Sequence, residues 1–210
     1  MKLVILGANG RTGRHVVRAA LDEGIDVTSV VRHADKAIGI AHDRLKIVVG
    51  DPCDPAFLKP VFQGLDAAIS TLGARRPTKA ASSVYDRSAK AIVEAARETG
   101  VKRVLVTSTA LLFQKQPLVG KLLRVIVPNM VASAKRMEDI LGASDLNWTV
   151  ARPGFLTDSN QEAFRDKRDV ASAQGTSVSS RALANFLLSA LKNRETGRGT
   201  YGVAGEKKTA

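Results

Sequence analysis

The 210-residue chain has few of the residues on which several kinds of protein depend. Its single cysteine, Cys53, excludes an intramolecular disulfide. The three histidines, His15, His33 and His42, lie far apart and lack the spacing of a metal site. Aromatic residues make up 4% of the chain, and no basic tract is interleaved with aromatics for stacking on single-stranded nucleic acid. A disulfide-stabilised scaffold, a histidine metal centre and a base-stacking module are therefore unsupported.

Long uninterrupted apolar segments are also absent. The most apolar stretch, Leu118 to Val131, contains Lys121, Arg124 and Pro128, and it is too short and too charged to span a bilayer. The N-terminus enters an apolar strand pattern directly and has no signal-peptide cleavage pattern. We therefore expect a cytoplasmic protein without a membrane partner.

Positive charge dominates the composition. The chain carries 32 lysines and arginines against 20 acidic residues, which gives a formal net charge of +12. Such a balance favours anionic partners, namely a phosphorylated cofactor, an acidic substrate, nucleic acid or an anionic membrane surface. A solvated basic surface explains it equally well. Because the basic residues are scattered along the chain, a nucleic-acid partner is not expected.

Short apolar runs alternate with helical patterns along the chain. Strands are predicted at Leu3–Leu6, Asp26–Val31, Leu45–Val49, Asp66–Ser70, Arg103–Thr107 and Asn147–Ala151. Helices are predicted at Thr12–Glu23, Pro55–Phe62, Ser82–Glu98, Val131–Leu141 and Ser180–Leu191. This alternation indicates a Rossmann-type α/β fold, a doubly wound parallel sheet with helices on both faces. Residues 1–210 are expected to form one domain, with the polar segment 155–179 as a small C-terminal lobe on the substrate side.

The most specific motif is the glycine turn Gly7-Ala8-Asn9-Gly10-Arg11-Thr12-Gly13, between the first predicted strand and the first predicted helix. A glycine at the turn permits a positive φ, and the next lets backbone N–H groups and the helix N-terminus approach a pyrophosphate. The third lets helix and strand pack tightly. This context favours a dinucleotide site over a turn that only reverses the chain.

The end of the second predicted strand indicates which dinucleotide is bound. NAD-binding folds place a carboxylate there for the ribose 2′-hydroxyl, whereas an arginine accommodates a 2′-phosphate. Here Val31 leads to Arg32, with Lys36 one helical turn later, and Asp35 lies beyond the expected position. Arg32 is a planar, permanent cation suited to phosphate oxygens. The sequence therefore predicts NADP(H) as the cofactor.

Motifs along nearly the whole chain resemble the atypical short-chain dehydrogenase/reductase group, which includes NADPH-dependent flavin and biliverdin reductases and the NmrA-like redox sensors. The glycine turn has the spacing GxxGxxG of that superfamily. The other segments that carry the resemblance are Val-Val-Arg at 30–32, Val-Val-Gly-Asp at 48–51, Leu-Gly at 72–73, Thr-Ser-Thr-Ala-Leu-Leu-Phe at 107–113, Lys-Arg-Met at 135–137 and Leu146–Gly154. The glycine turn is common to the whole group, so segment 107–113 is the more selective feature.

The resemblance implies roles for individual positions. The implied cofactor-binding residues are Gly7, Asn9, Gly10, Arg11, Thr12, Gly13, Arg32, Lys36, Asp51, Pro52, Leu72, Gly73, Arg75, Ser108, Lys135, Pro153 and Gly154. Asp51 is expected to accept a hydrogen bond from the adenine amino group, and Arg75 to lie near the phosphates. Ser108 is expected beside the nicotinamide as the catalytic residue, unless its hydroxyl only satisfies local backbone. Phe113 and Phe155 are expected either to form a wall facing the acceptor or to belong to the core.

One feature of the short-chain pattern is missing. Most short-chain dehydrogenases carry Tyr-x-x-x-Lys, but Lys135 is preceded four positions earlier by Val131, and Tyr85 belongs to a different helix. A carbonyl reduction leaves an alkoxide that needs a positioned acid, whereas a flavin, quinone or linear tetrapyrrole delocalises its new charge. The missing tyrosine therefore favours direct hydride transfer to a conjugated acceptor. Lys135 either holds the nicotinamide ribose or stays solvated.

The segment from Leu111 to Pro128 follows the fifth predicted strand and so emerges at the carboxyl edge of the sheet, where ligands bind. Its mixture of leucines with Lys115, Lys121 and Arg124 predicts a flap over a flat acceptor. The cations, Arg124 among them, would then face the phosphate of FMN or a propionate of a linear tetrapyrrole. The alternative is an amphipathic helix packed on the core.

Three functions remain open from the sequence. The favoured one is an NADPH-dependent reductase of a conjugated, anionic acceptor. The second is a regulatory protein that senses NADP(H) without transferring hydride. The third is a basic, nucleic-acid-associated module that retains a vestigial glycine turn. Cys53, two residues after Asp51, is interpreted as structural, and no metal is expected.

Overall fold

In the computed structural model, residues 1–33, 39–74, 76–114, 118–169 and 177–206 are described. The strands are β1 (Lys2–Leu6), β2 (Asp26–Val31), β3 (Leu45–Val49), β4 (Ala67–Ser70), β5 (Arg103–Thr107), β6 (Asn147–Pro153), β7 (Phe155–Thr157), β8 (Phe164–Arg168), β9 (Ser177–Ser179) and β10 (Gly199–Gly205). The helices are α1 (Arg11–Asp22), α2 (Pro55–Phe62), α3 (Lys79–Ser82), α4 (Val84–Thr99), α5 (Leu118–Ile126), α6 (Pro128–Gly142) and α7 (Ser180–Lys192). Short 3₁₀ turns lie at Ala110–Leu112 and Arg194–Thr196.

Eight of these strands form one sheet in the order β3-β2-β1-β4-β5-β6-β10-β8. The pairings are parallel except at the edge, where β8 runs antiparallel to β10. From β1 the chain first builds outward to β3 and then returns to place β4 on the other side of β1. The strand order therefore reverses between β1 and β4, and the crevice at their carboxyl ends is where open α/β sheets bind ligands.

The predicted Rossmann-type fold is confirmed, and β2, β3, β5 and α2 have the predicted bounds. Segment 155–179, expected as a small C-terminal lobe, contributes three strands within its described residues. Its strand β8 joins the main sheet, while β7 and β9 form a two-stranded parallel sheet of their own. The chain can complete the sheet in this way because β10 offers β8 a free backbone edge for antiparallel hydrogen bonds.

The sheet is covered on both faces by apolar helices. One core cluster joins α1 and α7 to the sheet, with Val16, Leu183 and Leu187 at its centre. The opposite cluster joins α2, α4 and α6, with Phe62 and Ile92 at its centre. Since both faces are buried, the central strands β1 and β4 are almost wholly apolar. Within the described ranges, no helix combines the length and the apolar composition that crossing a bilayer requires.

Arg103, the first residue of β5, ties the amino edge of the sheet to the end of α7. Its guanidinium donates hydrogen bonds to the side chain of Thr149 at 2.7 Å, to the carbonyl of Ala190 at 2.6 Å and to the hydroxyl of Thr196 at 2.8 Å. Burial lowers the pKa of Arg103 to about 10. The carbonyl of Ala190 lies in the last turn of α7, where backbone acceptors lack partners within the helix.

We predict that Arg103→Met lowers the stability of the fold, because it removes the charged donor of three hydrogen bonds. The carbonyl of Ala190 then keeps only the hydrogen bond from the Thr196 hydroxyl. The expected loss is about 2–3 kcal/mol, or about 5–10 °C in Tm for a chain of this size. Thermal denaturation followed by circular dichroism measures it. Arg97→Met, on the exposed side of α4, is the control and should leave Tm unchanged. Equal melting temperatures for the two variants would contradict the assignment.

Candidate dinucleotide and acceptor site

The glycine turn has the close contacts that its glycines predict. Gly7 has a φ of +81°, and a Cβ there would lie 3.0 Å from the carbonyl carbon of Thr71 in the loop after β4. A Cβ on Gly13 would lie 2.2 Å from the carbonyl oxygen of Gly7. No side chain fits at that distance, so helix α1 can rest on the end of β1 only because position 13 is glycine.

The N-terminus of α1 is open to an anion. Gly10 is its N-cap, no side chain caps the helix, and its first turn contains no acidic residue. The Oδ1 atom of Asn9 is buried there, and no described residue donates a hydrogen bond to it. Free N–H groups and the helix dipole favour a phosphate at such an end. The turn therefore fits the pyrophosphate of a dinucleotide.

Two further turn residues have defined surroundings. Thr12 is buried at the start of α1. The guanidinium of Arg11 lies 3.4 Å from the carboxylate of Asp158, just beyond β7, and both side chains are largely exposed. Exposed pairs of this kind contribute little stability, so this one can rearrange when an anionic ligand arrives.

The loop after β4 is held from beneath by Tyr85 of α4. Leu72 is partly buried, Gly73 is exposed, and a Cβ on Gly73 would lie 3.4 Å from the Tyr85 hydroxyl. Burial raises the pKa of Tyr85, although its hydrogen bond with the backbone of Ala74 opposes the shift. Tyr85 therefore fixes the loop that contains Leu72 and Gly73, two of the cofactor-binding residues that the resemblance implies.

At the adenine end, Arg32 is exposed directly after β2, and Pro52 is buried. Asp51 accepts a hydrogen bond from the N–H of Cys53 at 2.9 Å and lies 3.7 Å from the guanidinium of Arg87. Burial, followed by the charge of Asp51, raises the pKa of the Cys53 thiol to about 11. A thiol with that pKa stays protonated at neutral pH, which agrees with a structural role. Lys36 and Arg75 lie outside the described residues, as does Lys115.

The other end of the crevice contains a buried polar network at the ends of β5 and β6. The hydroxyl of Ser108 donates a hydrogen bond to Oε1 of Glu138 at 2.6 Å. Arg152 donates to the same oxygen from Nε at 2.9 Å and to Oε2 from Nη2 at 2.5 Å. The side chains of Arg152 and Glu138 are only 15% and 10% exposed. The arginine also lies over the ring of Phe113, with its Cζ 4.7 Å from the ring centroid.

This network changes the expected roles of several residues. Phe113 is buried beneath Arg152, which corresponds to the core alternative and not to a wall facing the acceptor. Phe155 is 54% exposed and can still face an acceptor. Lys135 is exposed and forms an ion pair with Asp139 along α6. That geometry corresponds to the solvated alternative for Lys135.

Glu138 and Arg152 are not among the site residues that the sequence predicts. Glu138 follows the segment 135–137, and Arg152 directly precedes Pro153. The sequence does contain one indication of this pair, an arginine at the end of a largely apolar strand. Such a charge requires a counter-charge and so predicts an acidic partner. Pro153 is buried and Gly154 partly buried beside it.

The predicted flap is a helix in the structure. Segment 118–126 forms α5, on which Arg124 is exposed and Leu123 is partly buried. The helix packs against the 3₁₀ turn at Ala110–Leu112 and against α6. Across the described ranges, no group of three or more His, Cys, Asp or Glu residues is placed to hold a metal ion.

A Rossmann-type fold with an open helix N-terminus at its switch point defines a nucleotide-binding protein. Residues 7–194 match the model of a family described as NAD(P)H-binding, and the chain belongs to this family. The prediction of a nicotinamide dinucleotide as cofactor is thereby confirmed, and so is the resemblance at the level of the family. The match covers the glycine turn and the Ser108–Glu138–Arg152 network.

Individual relatives add detail. A photosystem II assembly factor, Ycf39, from Guillardia theta is 33% identical over 152 residues, which are 71% of this chain and 45% of that protein. The chain spans between 34% and 63% of the length of the curated relatives that it matches under that name.

Solved structures share the fold at low identity. A short-chain dehydrogenase/reductase of the wide type from Veillonella parvula, in complex with NADP, has a TM-score of 0.82 at 20% identity, covering 99% of this chain and 95% of that chain. ChuY, an anaerobillin reductase from Escherichia coli O157:H7, has a TM-score of 0.80 at 20% identity and covers 100% of both chains. At this identity the likeness concerns the fold.

We predict that Gly13→Ala weakens NADPH binding by about a hundredfold and lowers Tm, because the new methyl group displaces α1 from the end of β1. Isothermal titration and thermal denaturation measure the two effects. Gly142→Ala at the end of α6 is the matched control, since a Cβ there meets nothing within 4 Å. Unchanged NADPH affinity in Gly13→Ala would show that the close approach does not shape the site.

Proposed function

We propose that the protein is an NADPH-dependent reductase that delivers hydride to a conjugated acceptor, such as a flavin, a linear tetrapyrrole or a quinone. The observation that carries the proposal is the buried network of Ser108, Glu138 and Arg152. It lies at the ends of β5 and β6, on the same edge of the sheet as the glycine turn. It provides a fixed polar surface without a tyrosine acid. Membership of the NAD(P)H-binding family supports the cofactor, and the fold shared with an anaerobillin reductase supports an acceptor of the tetrapyrrole type.

The direction of the Ser108 hydrogen bond limits the chemistry. Because the hydroxyl proton points to Glu138, the lone pairs of the oxygen remain to accept a hydrogen bond from a ligand N–H group. Arg152 occupies both oxygens of Glu138, so the carboxylate has little freedom to release Ser108. Ser108 is therefore a better orienting acceptor than a proton donor. That role suits the cofactor carboxamide or the N–H of a flavin or pyrrole ring.

The cofactor, when bound, supplies the hydride, and the chain supplies position. The open end of α1 binds the pyrophosphate, Tyr85 holds the loop after β4, and Ser108 orients the reacting end. An acceptor whose new charge is delocalised takes its proton from water, so no acid needs to be positioned. The proposed mechanism requires neither a Tyr-x-x-x-Lys pair nor a metal.

The test is NADPH oxidation, followed at 340 nm, with FMN, riboflavin, biliverdin isomers, a quinone and a redox dye. We expect turnover with at least one conjugated acceptor and none with simple alcohols or aldehydes. NADPH binding without oxidation by any acceptor in the panel would contradict the reductase proposal.

That outcome would favour the second candidate, a regulatory protein that binds NADP(H) without transferring hydride. The name of the Ycf39 relatives, photosystem II assembly factor, supports it, because that name describes assembly and not an enzymatic reaction. Both candidates use the same dinucleotide site and differ only in turnover, so binding and oxidation must be measured on the same preparation.

Arg32 supports a preference for NADPH over NADH of at least about tenfold, which is about 1.4 kcal/mol and roughly one charge-assisted contact. We predict that Arg32→Asp removes or reverses this preference by repelling the 2′-phosphate. Dissociation constants for both dinucleotides measure it. Arg97→Asp on α4 makes the same change of charge at a residue outside the candidate site. It should leave the ratio of the two dissociation constants unchanged. Equal affinities in the unmodified protein would remove Arg32 from the site.

We predict that Ser108→Ala slows turnover by about tenfold to a hundredfold while the NADPH dissociation constant changes little, because one orienting contact is lost. Steady-state kinetics and direct binding separate the two effects. Ser189→Ala, on the exposed side of α7, is the control. Loss of cofactor binding or a large fall in Tm would instead assign Ser108 a structural role.

A further inference from the structure

Helix α5 presents an apolar face that no residue in the described ranges covers. Leu118, Leu122 and Val125 are 83%, 63% and 76% exposed, and Val119 and Ile126 are more than half exposed as well. Among the other large hydrophobic side chains of the described residues, only that of Phe155 is more than half exposed. A contiguous exposed apolar surface of this kind marks an interaction site more often than a chance exposure.

The five residues share one side of the helix. At 100° per residue, positions 118, 119, 122, 125 and 126 fall within a sector of about 120°, and they extend about 12 Å along the axis. Gly120 is buried and Leu123 is partly buried, so the fold is contacted from the opposite side. The apolar face is therefore a continuous stripe directed away from the helix's own packing.

Exposed cations continue the helix surface on one side of this stripe. Lys121 lies at the border of the stripe, next to Val125, and Arg124 lies about 60° further round the helix. Neither has an ion-pair partner among the described residues. The surrounding sequence adds no negative charge, because no acidic residue occurs between Glu98 and Glu138. A partner that complements this face must therefore offer an apolar region to the stripe and negative charge to the cations beside it.

We propose that α5 docks on the surface of an anionic lipid bilayer. Its apolar stripe would enter the boundary between headgroups and acyl chains. Lys121 would then lie at the level of the lipid phosphates, and Arg124 would lie on their aqueous side. The net charge of +12 draws the whole protein to the same surface. Docking of this kind needs no spanning segment, and it is independent of the proposed reductase activity.

A second copy of the chain is a poorer occupant. In a two-fold interface built on the apolar stripe of α5, each copy contributes the same patch, so Lys121 at its border adds positive charge from both copies. The helix contains no acidic residue that could neutralise this charge. A net charge of +12 on each copy adds further repulsion.

Docking would also place the candidate site at the membrane. Helix α5 packs on the 3₁₀ turn at Ala110–Leu112, which begins two residues after Ser108. An acceptor dissolved in the bilayer would then have a short path to the crevice. Water-soluble acceptors remain accessible, so binding to vesicles and turnover are separable measurements.

The test is co-sedimentation of the full chain with vesicles of phosphatidylcholine, alone or with about 30% phosphatidylglycerol. We expect at least about tenfold tighter binding to the anionic vesicles at low salt, weakening as salt rises to about 0.5 M. Lys121→Gln with Arg124→Gln should weaken that binding by about 25-fold, about fivefold for each cation. Leu122→Ser with Val125→Ser should weaken it by at least about tenfold.

Two matched pairs keep the test specific. Lys90→Gln with Arg97→Gln removes the same charge from the exposed side of α4, and Ile47→Thr with Val49→Thr removes exposed apolar surface from β3. Both pairs should bind anionic vesicles within about threefold of the unmodified chain, since neither the charges of the first pair nor the apolar side chains of the second belong to α5. Absence of vesicle binding, or equal binding by the Leu122→Ser/Val125→Ser variant, overturns the proposal. A dimer that dissociates in that variant, without vesicle binding, would assign the face to self-association.

Discussion

The approach of α1 to the end of β1 is the constraint on which the rest of the site depends. The carbonyl oxygen of Gly7 occupies the space that a side chain at position 13 would need, 2.2 Å from the site of its Cβ. Because the helix begins there, its free N–H groups face the reversal of strand order between β1 and β4. The loop after β4, which touches Gly7 through Thr71, is then held at a fixed distance from the same helix end.

The sequence predicted this end of the molecule well, since its signals are local. Strands β2, β3 and β5 are short apolar runs. The three glycines that the glycine turn requires all lie within seven consecutive residues. The far edge of the sheet was not predicted, because β10 is rich in glycine and β8 alternates charges on an exposed edge. Neither segment resembles a strand until a neighbour supplies its hydrogen bonds. Glu138 lies on α6 and Arg152 on β6. The sequence pattern of neither element indicates that the two side chains meet.

That pair also shows why site residues were harder to predict than the fold. A motif predicts Ser108 as a site residue, yet the role proposed for it depends on Glu138, which accepts the hydrogen bond of its hydroxyl. A buried arginine and carboxylate stabilise a fold only when their hydrogen bonds are nearly complete, and removing one partner leaves an uncompensated charge. Three hydrogen bonds to the Glu138 carboxylate meet that condition. The network therefore holds its geometry whether or not a ligand is bound.

The two ends of the crevice consequently differ in rigidity. At the glycine turn and the adenine end, Arg11 pairs with Asp158 and Arg87 with Asp51, and all four side chains are at least half exposed. Exposed pairs of this kind contribute no more than about 1 kcal/mol and exchange readily for a phosphate. At the opposite end, the pairing of Arg152 with Glu138 is buried and bidentate, so it does not exchange. Affinity for the phosphates can thus arise from charges that rearrange, while the groups at the opposite end are already in place. In the proposed reductase, a site built in this way binds its cofactor without disturbing the geometry that hydride transfer requires.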